Sequence, residues 1–263
     1  FIDRYTNQSD EILDFYEYKP GEQSEFERRA KLNSNGREKA LSEVIHSYMS
    51  DLELTEAQLK NIENLRNGHK VIIGGQQAGL FTGPLYTFHK IISIIILANE
   101  QSEKLNTTVV PVFWIAGEDH DFDEVNHTFA YDRVSRQLNK VKYSTLEPPE
   151  KSVSQYQFDK ELVMDALSDM FSAIGETNHS KAVKEMVTDA IEASDSWSDI
   201  FKVMTNEVFK EHGLLLIDAS YSKLRKIEIP LFKEIIEKRE EIDNAFRNTQ
   251  DQFANVIKNR LIL

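Results

Sequence analysis

The 263-residue chain is 40% hydrophobic and 29% charged, the composition of a globular protein with room for one large domain or one domain plus an appendage. Its net charge of −13 and pI near 5.1 argue against nucleic-acid binding as a main task and against a polybasic membrane anchor. The absence of cysteine excludes disulfides, thiolate-bound zinc and a cysteine nucleophile, and fits a reducing, cytoplasmic setting.

Residues 1–66 read as polar helices forming the N-terminal part of the core. Phe26, Ala30 and Leu32 begin a weak pattern, and Leu41, Val44, Ile45, Tyr48 and Met49 give a clearer one. Thr55 with Gln58 three residues on predicts a capped helix start, and Asn67-Gly68 its end. Lys70–Ile73 predicts a buried strand that gives way at once to a glycine loop. After Pro84, residues 85–99 predict a helix apolar on most sides. Thr108–Ile115 predicts a second buried strand. Strand, helix and strand in this order make a βαβ unit, and therefore parallel strands. The longest apolar run, 91–98, is far short of the roughly 20 residues of a membrane helix.

Residues 128–146 read as extended, with Tyr131, Val141 and Tyr143 at β positions, and Pro148-Pro149 marks a break. A helical insert follows at about 147–211, with Trp197, Ile200, Phe201, Met204 and Phe209 as core candidates. Gly213–Asp218 predicts a third buried strand. From 221 the chain returns to helix, with Leu224, Ile227, Leu231, Ile235 and Ile242 spaced as in a coiled-coil arm and a kink or restart expected at Pro230. The fold class is α/β: a Rossmann-like parallel core over 67–220 with helical inserts, then the start of an arm over 221–263.

Two segments carry chemistry. In Gly74-Gly75-Gln76-Gln77-Ala78-Gly79-Leu80-Phe81-Thr82-Gly83, four glycines fall between a strand and a helix. They let backbone approach a ligand, and the helix start beyond them attracts anions. Gln76, Gln77 and Thr82 offer hydrogen bonds, and His89 and Lys90 lie one to two turns into the helix. The segment is neither a P-loop nor a dinucleotide fingerprint. A tight turn with no ligand is the plain alternative.

The second segment, Glu118-Asp119-His120-Asp121-Phe122-Asp123-Glu124-Val125-Asn126-His127, follows a strand's carboxyl end, where open α/β sheets place ligands. Crowded carboxylates raise one another's pKa, which suits a general base. The alternatives are a divalent-metal hydrolase and a solvated loop of capping aspartates. Asp218, ending the third strand, reaches toward the same crevice or caps a helix.

Together, Gly-Gly-Gln-Gln-Ala-Gly and, about forty residues later, Ala-Gly-Glu-Asp-His-Asp resemble the bacillithiol biosynthesis cysteine-adding enzyme family. The resemblance spans most of the chain, more loosely over 1–60 and 145–210. It implies a ligase that joins cysteine to the amino group of glucosaminyl-malate, with ATP as the expected activating cosubstrate; no metal is assigned. It implies a core like that of nucleotidyltransferases and a coiled-coil arm used for homodimerisation. Members are longer, so this chain is expected to be truncated at its C-terminus; Phe1 in place of Met likewise suggests a missing start. Asp119, His120 and Asp121 are the catalytic candidates. Gly74, Gly75, Gln76, Gln77, Gly79, Thr82, Gly83, His89, Glu118, Asp123 and Asn126 are the candidates for holding substrate or phosphate. A nucleotidyltransferase-like enzyme acting on another small acid is the nearest rival.

Overall fold

The structure, a computed structural model, describes residues 1–146, 150–175 and 177–258, so the break expected at Pro148-Pro149 lies outside the described residues. In chain order the elements are α1 (Ile2–Thr6), α2 (Asp10–Leu13), α3 (Gln23–Ala30), α4 (Glu38–Tyr48), α5 (Glu56–Arg66), β1 (Lys70–Gln76), α6 (Tyr86–Leu105), β2 (Val109–Ile115), α7 (Phe122–Val125), β3 (His127–Asp132), β4 (Gln137–Lys142), α8 (Lys160–Ile174), α9 (Ser180–Ala193), α10 (Trp197–Phe209), β5 (Leu215–Asp218), α11 (Ser222–Glu237) and α12 (Arg239–Lys258). They fall into two units, residues 34–225 and residues 1–33 with 226–263.

In the larger unit, β1, β2 and β5 form a parallel sheet in the order β1-β2-β5. The central β2 is buried except at Trp114, because apolar residues run along it without alternation, as a strand covered on both faces requires. Helix α6 packs on β1 and β2, α5 on β2 and β5, and α4 on β5. The capping box at Thr55 forms with Gln58, whose buried amide also donates to Asn206 Oδ1 (2.8 Å) and to the Leu214 carbonyl (2.9 Å). One side chain thus starts α5 and fastens it to α10 and to the chain entering β5.

Three expectations change. β1 is half-buried, with Ile73 53% exposed, since it is the sheet's edge strand. It also runs on through Gly74 and Gly75 to Gln76. A Cβ on Gly74 would stand 2.8 Å from Ile94 Cδ1, and one on Gly75 would stand 2.6 Å from the Trp114 carbonyl oxygen. These two glycines, inside the strand, let α6 and β2 approach it. Helix α6 is longer than 85–99, ending where Asn106 turns left-handed, and it keeps one open side: Ile91, Ile94, Ile95 and Ala98 are buried, while Ile92 (41%) and Ile96 (51%) are exposed.

The extended reading of 128–146 resolves into the antiparallel β3–β4 hairpin, and the insert into α8, α9 and α10, whose five core candidates are all buried. In the smaller unit, Phe253 packs against Phe1 and Phe15 at 5.6 and 5.3 Å between ring centroids. Pro230 does not end its helix. α11 continues through it, at the cost of one backbone hydrogen bond, and the interruption falls at Lys238. Leu231, Ile235 and Ile242 are exposed.

Candidate functional site

β1 and β2 end side by side. Gln76 is in register with Ile115, and the Ala116 N–H donates to the Gln76 carbonyl at 3.0 Å. The two motif segments therefore leave the sheet as neighbours, at the carboxyl ends of parallel strands. Gln77 joins them: its Nε2 donates to Asp119 Oδ2 at 2.5 Å and to Glu124 Oε2 at 2.7 Å.

The loop after Gln77 is tightly folded. A Cβ on Gly79 would meet the Gly83 Cα at 2.6 Å, and Gly83 has φ +74°. Phe81 and Thr82 are left-handed at φ 51° and 73°, which for a β-branched threonine costs on the order of 1–3 kcal/mol. Burial of Leu80, Phe81 and Thr82 holds that conformation, as does Trp197 on α10, whose Nε1 donates to the Ala78 carbonyl at 2.7 Å.

The acid segment is strapped from the other side. The Val153 N–H donates to the Asp119 carbonyl (2.8 Å) and the Ser154 N–H to the Gly117 carbonyl (3.0 Å). Gly117 rests against Asp218, where a Cβ would come within 2.2 Å of Oδ2. Asp218 is 3% exposed. Its Oδ1 accepts from the Ser220 N–H (2.7 Å) and lies 2.6 Å from Ser220 Oγ, which is itself 2.6 Å from Ser154 Oγ. Burial pushes the Asp218 carboxyl up; the Ser220 bonds offset part of this, and the charge of Glu118 adds a smaller push in the same direction.

Asp119 goes the other way. The Asp121 backbone N–H (3.0 Å), then the Gln77 amide, hold its carboxyl below the usual aspartate range. The crowding expected to raise its pKa is outweighed by these donors.

A cavity of about 540 Å³ opens between the loop and the start of the hairpin, lined among others by Gln76, Gln77, Thr82, Glu124, His127 and Phe129. Gly79 and Gly83 also line it, so five predicted loop residues meet there. Gly74, Gly75 and His89 line a separate groove of about 500 Å³ with Tyr86 and Lys90. Lys90 Nζ donates to Gln76 Oε1 at 2.6 Å, and Gln76 Nε2 donates to Tyr86 Oη at 3.1 Å, so Gln76 stands between cavity and groove. Glu118 and Asp121 are exposed, and the His120 side chain, 90% exposed, stands 4.0 Å from Asp119. Asp123 pairs with Lys142 at 3.6 Å and accepts from Asn126, which is buried at the junction of α7 and β3. Both shape the hairpin rather than the cavity.

Sequence reasoning passed over Tyr86, Glu124, His127 and Phe129 as site residues. Glu124 and His127 stood within the acid segment; Tyr86 stood in the helix start after the glycine loop and Phe129 in the extended stretch from 128. Among the described residues, no group of three or more His, Asp or Glu side chains is arranged to hold a metal ion. No helix of the described residues is long and apolar enough to cross a membrane.

The family model for the bacillithiol biosynthesis BshC N-terminal Rossmann-like domain matches residues 1–261. The chain belongs to this family. Its relatives include proteins named "Putative cysteine ligase BshC". The one from Staphylococcus haemolyticus is 52% identical over 252 residues, 96% of this chain and 47% of that protein. Those from Staphylococcus saprophyticus (53% over 261 residues) and Staphylococcus epidermidis (54% over 250 residues) are covered over 48% and 47% of their lengths. The chain thus spans about half the length of the family members it matches. The Rossmann-like description agrees with the parallel sheet.

Proposed function

We propose that the longer family protein is a ligase of bacillithiol biosynthesis that joins the carboxyl group of cysteine to the amino group of glucosaminyl-malate, and that this chain supplies the pocket for the amino sugar. The observation that supports this most is the Gln77 amide bonded at once to Asp119 and Glu124. It presents two carboxylates and an amide to whatever enters between the strand ends.

The cavity's described lining holds no lysine or arginine and does hold Glu124, so it suits an amine and hydroxyls better than a phosphate chain. Anionic groups fit instead on the Lys90 and His89 side of Gln76, by the start of α6, and this is where the residues suit the phosphates of ATP. Bound there, ATP would supply the activation that amide formation in water requires.

This chain's residues then do three things. Asp119 and Glu124 accept from the sugar's amine and hydroxyls and fix their direction. His127, on the cavity wall, takes the proton that the nitrogen releases as its lone pair forms the C–N bond and the bond from the acyl carbon to its activating leaving group breaks. Phe81, buried on the cavity wall, keeps water from the acyl carbon. His120 and Asp121 are exposed beside Asp119. The test is thiol analysis of a strain lacking the gene: bacillithiol should vanish and glucosaminyl-malate accumulate, whereas unchanged bacillithiol would refute the assignment.

A further inference from the structure

The β3–β4 hairpin is basic in an acidic chain. It carries Arg133, Arg136, Lys140 and Lys142 against a single acid, Asp132, while the whole chain has a net charge of −13. Its pairing register sorts the side chains. Thr128 stands opposite Val141 and Ala130 opposite Asn139, and burial of Ala130 and Val141 turns this face toward the protein. The other face therefore holds the pairs His127–Lys142, Phe129–Lys140 and Tyr131–Leu138. On it Phe129 (59%), Tyr131, Leu138 and both lysines are exposed.

This face is continuous with the cavity. His127 and Phe129 line the cavity and meet edge to face, 5.6 Å between ring centroids. Neither lysine lines it, but each stands directly across the hairpin from a residue that does, with Cβ atoms about 4.5–5.5 Å apart. Lys142 meets Asp123 at 3.6 Å; both side chains are exposed, and such a pair contributes little, so the ammonium keeps donors for a ligand. The site thus has negative charge at Glu124 and Asp119, joined by Gln77, and positive charge where the hairpin runs out from it.

We propose that the outer face of the hairpin is the specificity subsite of the cavity: Lys140 and Lys142 hold the dicarboxylate end of the amino sugar while its ring lies over Phe129. This rests on the reading of the cavity as the amino-sugar pocket and adds which group recognises which end. A ligand with an amine at one end and two carboxylates at the other matches the sign of the charge at both. The C–H face of a sugar ring suits an exposed aromatic face. An acidic protein surface, such as a second copy of this chain, would also suit the lysines, but covering this face would cover the cavity wall at His127 and Phe129.

The test is titration calorimetry on a full-length family protein bearing these residues. The ligands are glucosaminyl-malate and the methyl glycoside of glucosamine, which has the amine and no carboxylate. The parent should bind glucosaminyl-malate at least about 10-fold more tightly. Replacing both lysines, Lys140→Gln with Lys142→Gln, should erase that preference, leaving the methyl glycoside within about 2-fold and Tm almost unchanged, since both side chains are exposed. Phe129→Ala should weaken both ligands by about 3-fold or more; parental binding by this variant would overturn the stacking. A double lysine variant that keeps the parent's preference would overturn the proposal, as would one that alters self-association alone. Equal binding of the two ligands by the parent would overturn it while leaving the amino-sugar pocket standing, and a parent that binds neither would overturn both.

Discussion

Replacing Gly117 by alanine tests how the acid segment is seated on the sheet. The new Cβ would lie 2.2 and 2.5 Å from the Asp218 carboxylate oxygens and 2.7 Å from its Cγ, well inside contact distance. Neither partner has slack. Asp218 is buried at the end of β5 and held by Ser220, and the Gly117 carbonyl is tied to Ser154. Overpacking a tight site costs about 1–3 kcal/mol, and loss of a hydrogen bond to a charged group about 1.5–3 kcal/mol, so the variant should lose about 3–5 kcal/mol. At about 2–4 °C per kcal/mol for a unit of this size, Tm should fall by about 6–20 °C. Thermal melts of Gly117→Ala, Asp218→Ala and the double variant give the assay. With the carboxylate gone, alanine at 117 should cost less than about 1 kcal/mol, a coupling of about 2 kcal/mol or more. A single variant that loses under about 2 °C, or effects that simply add, would refute the reasoning.

The two shifted aspartates give opposite pH signatures. Asp218, raised by burial, favours the fold while protonated, so its contribution is full below the unfolded value near 3.9 and is lost as pH rises through its raised folded value. In melts from pH 4 upward, Asp218→Asn should gain relative to the parent; a constant difference would contradict this. Asp119, lowered by its donors, stabilises above the unfolded value and loses that effect as pH falls through its depressed one. Asp119→Asn should therefore cost stability at pH 7 and less below pH 3, and a pH-independent cost would count against it. Trp197→Phe should cost about 1–3 kcal/mol by stranding the buried Ala78 carbonyl, and should speed amide exchange over 78–83; slow exchange there would show that the loop needs no such anchor. In a full-length protein, Gln77→Ala should raise KM for the amino sugar by about 10-fold or more with Tm almost unchanged, and an unchanged KM would remove Gln77 from substrate positioning.

Local signals were readable and distant ones were not. The Thr55–Gln58 capping box and the third strand follow from spacing within a dozen residues, and the βαβ unit from three such local patterns in succession. So does the presence of two polar segments at strand ends. The reason for Gly74 and Gly75 was hidden because it lies in Ile94 and Trp114, on other elements. The Asp119 shift was misjudged because it depends on a turn and on an amide 42 residues away, not on the neighbouring acids. The exposure of Ile73, Ile92 and Ile96 has a similar origin: apolar periodicity shows that a face is to be covered, not by which segment.

The central claim is that the two strand-end segments form one substrate pocket. The most direct measurement is a structure of a full-length family member with glucosaminyl-malate bound. The account predicts the sugar amine within hydrogen-bond distance of the side chains aligned with Asp119 and Glu124, with the residue aligned with Gln77 between them. A ligand seated elsewhere, leaving those side chains bonded only to one another, would contradict it.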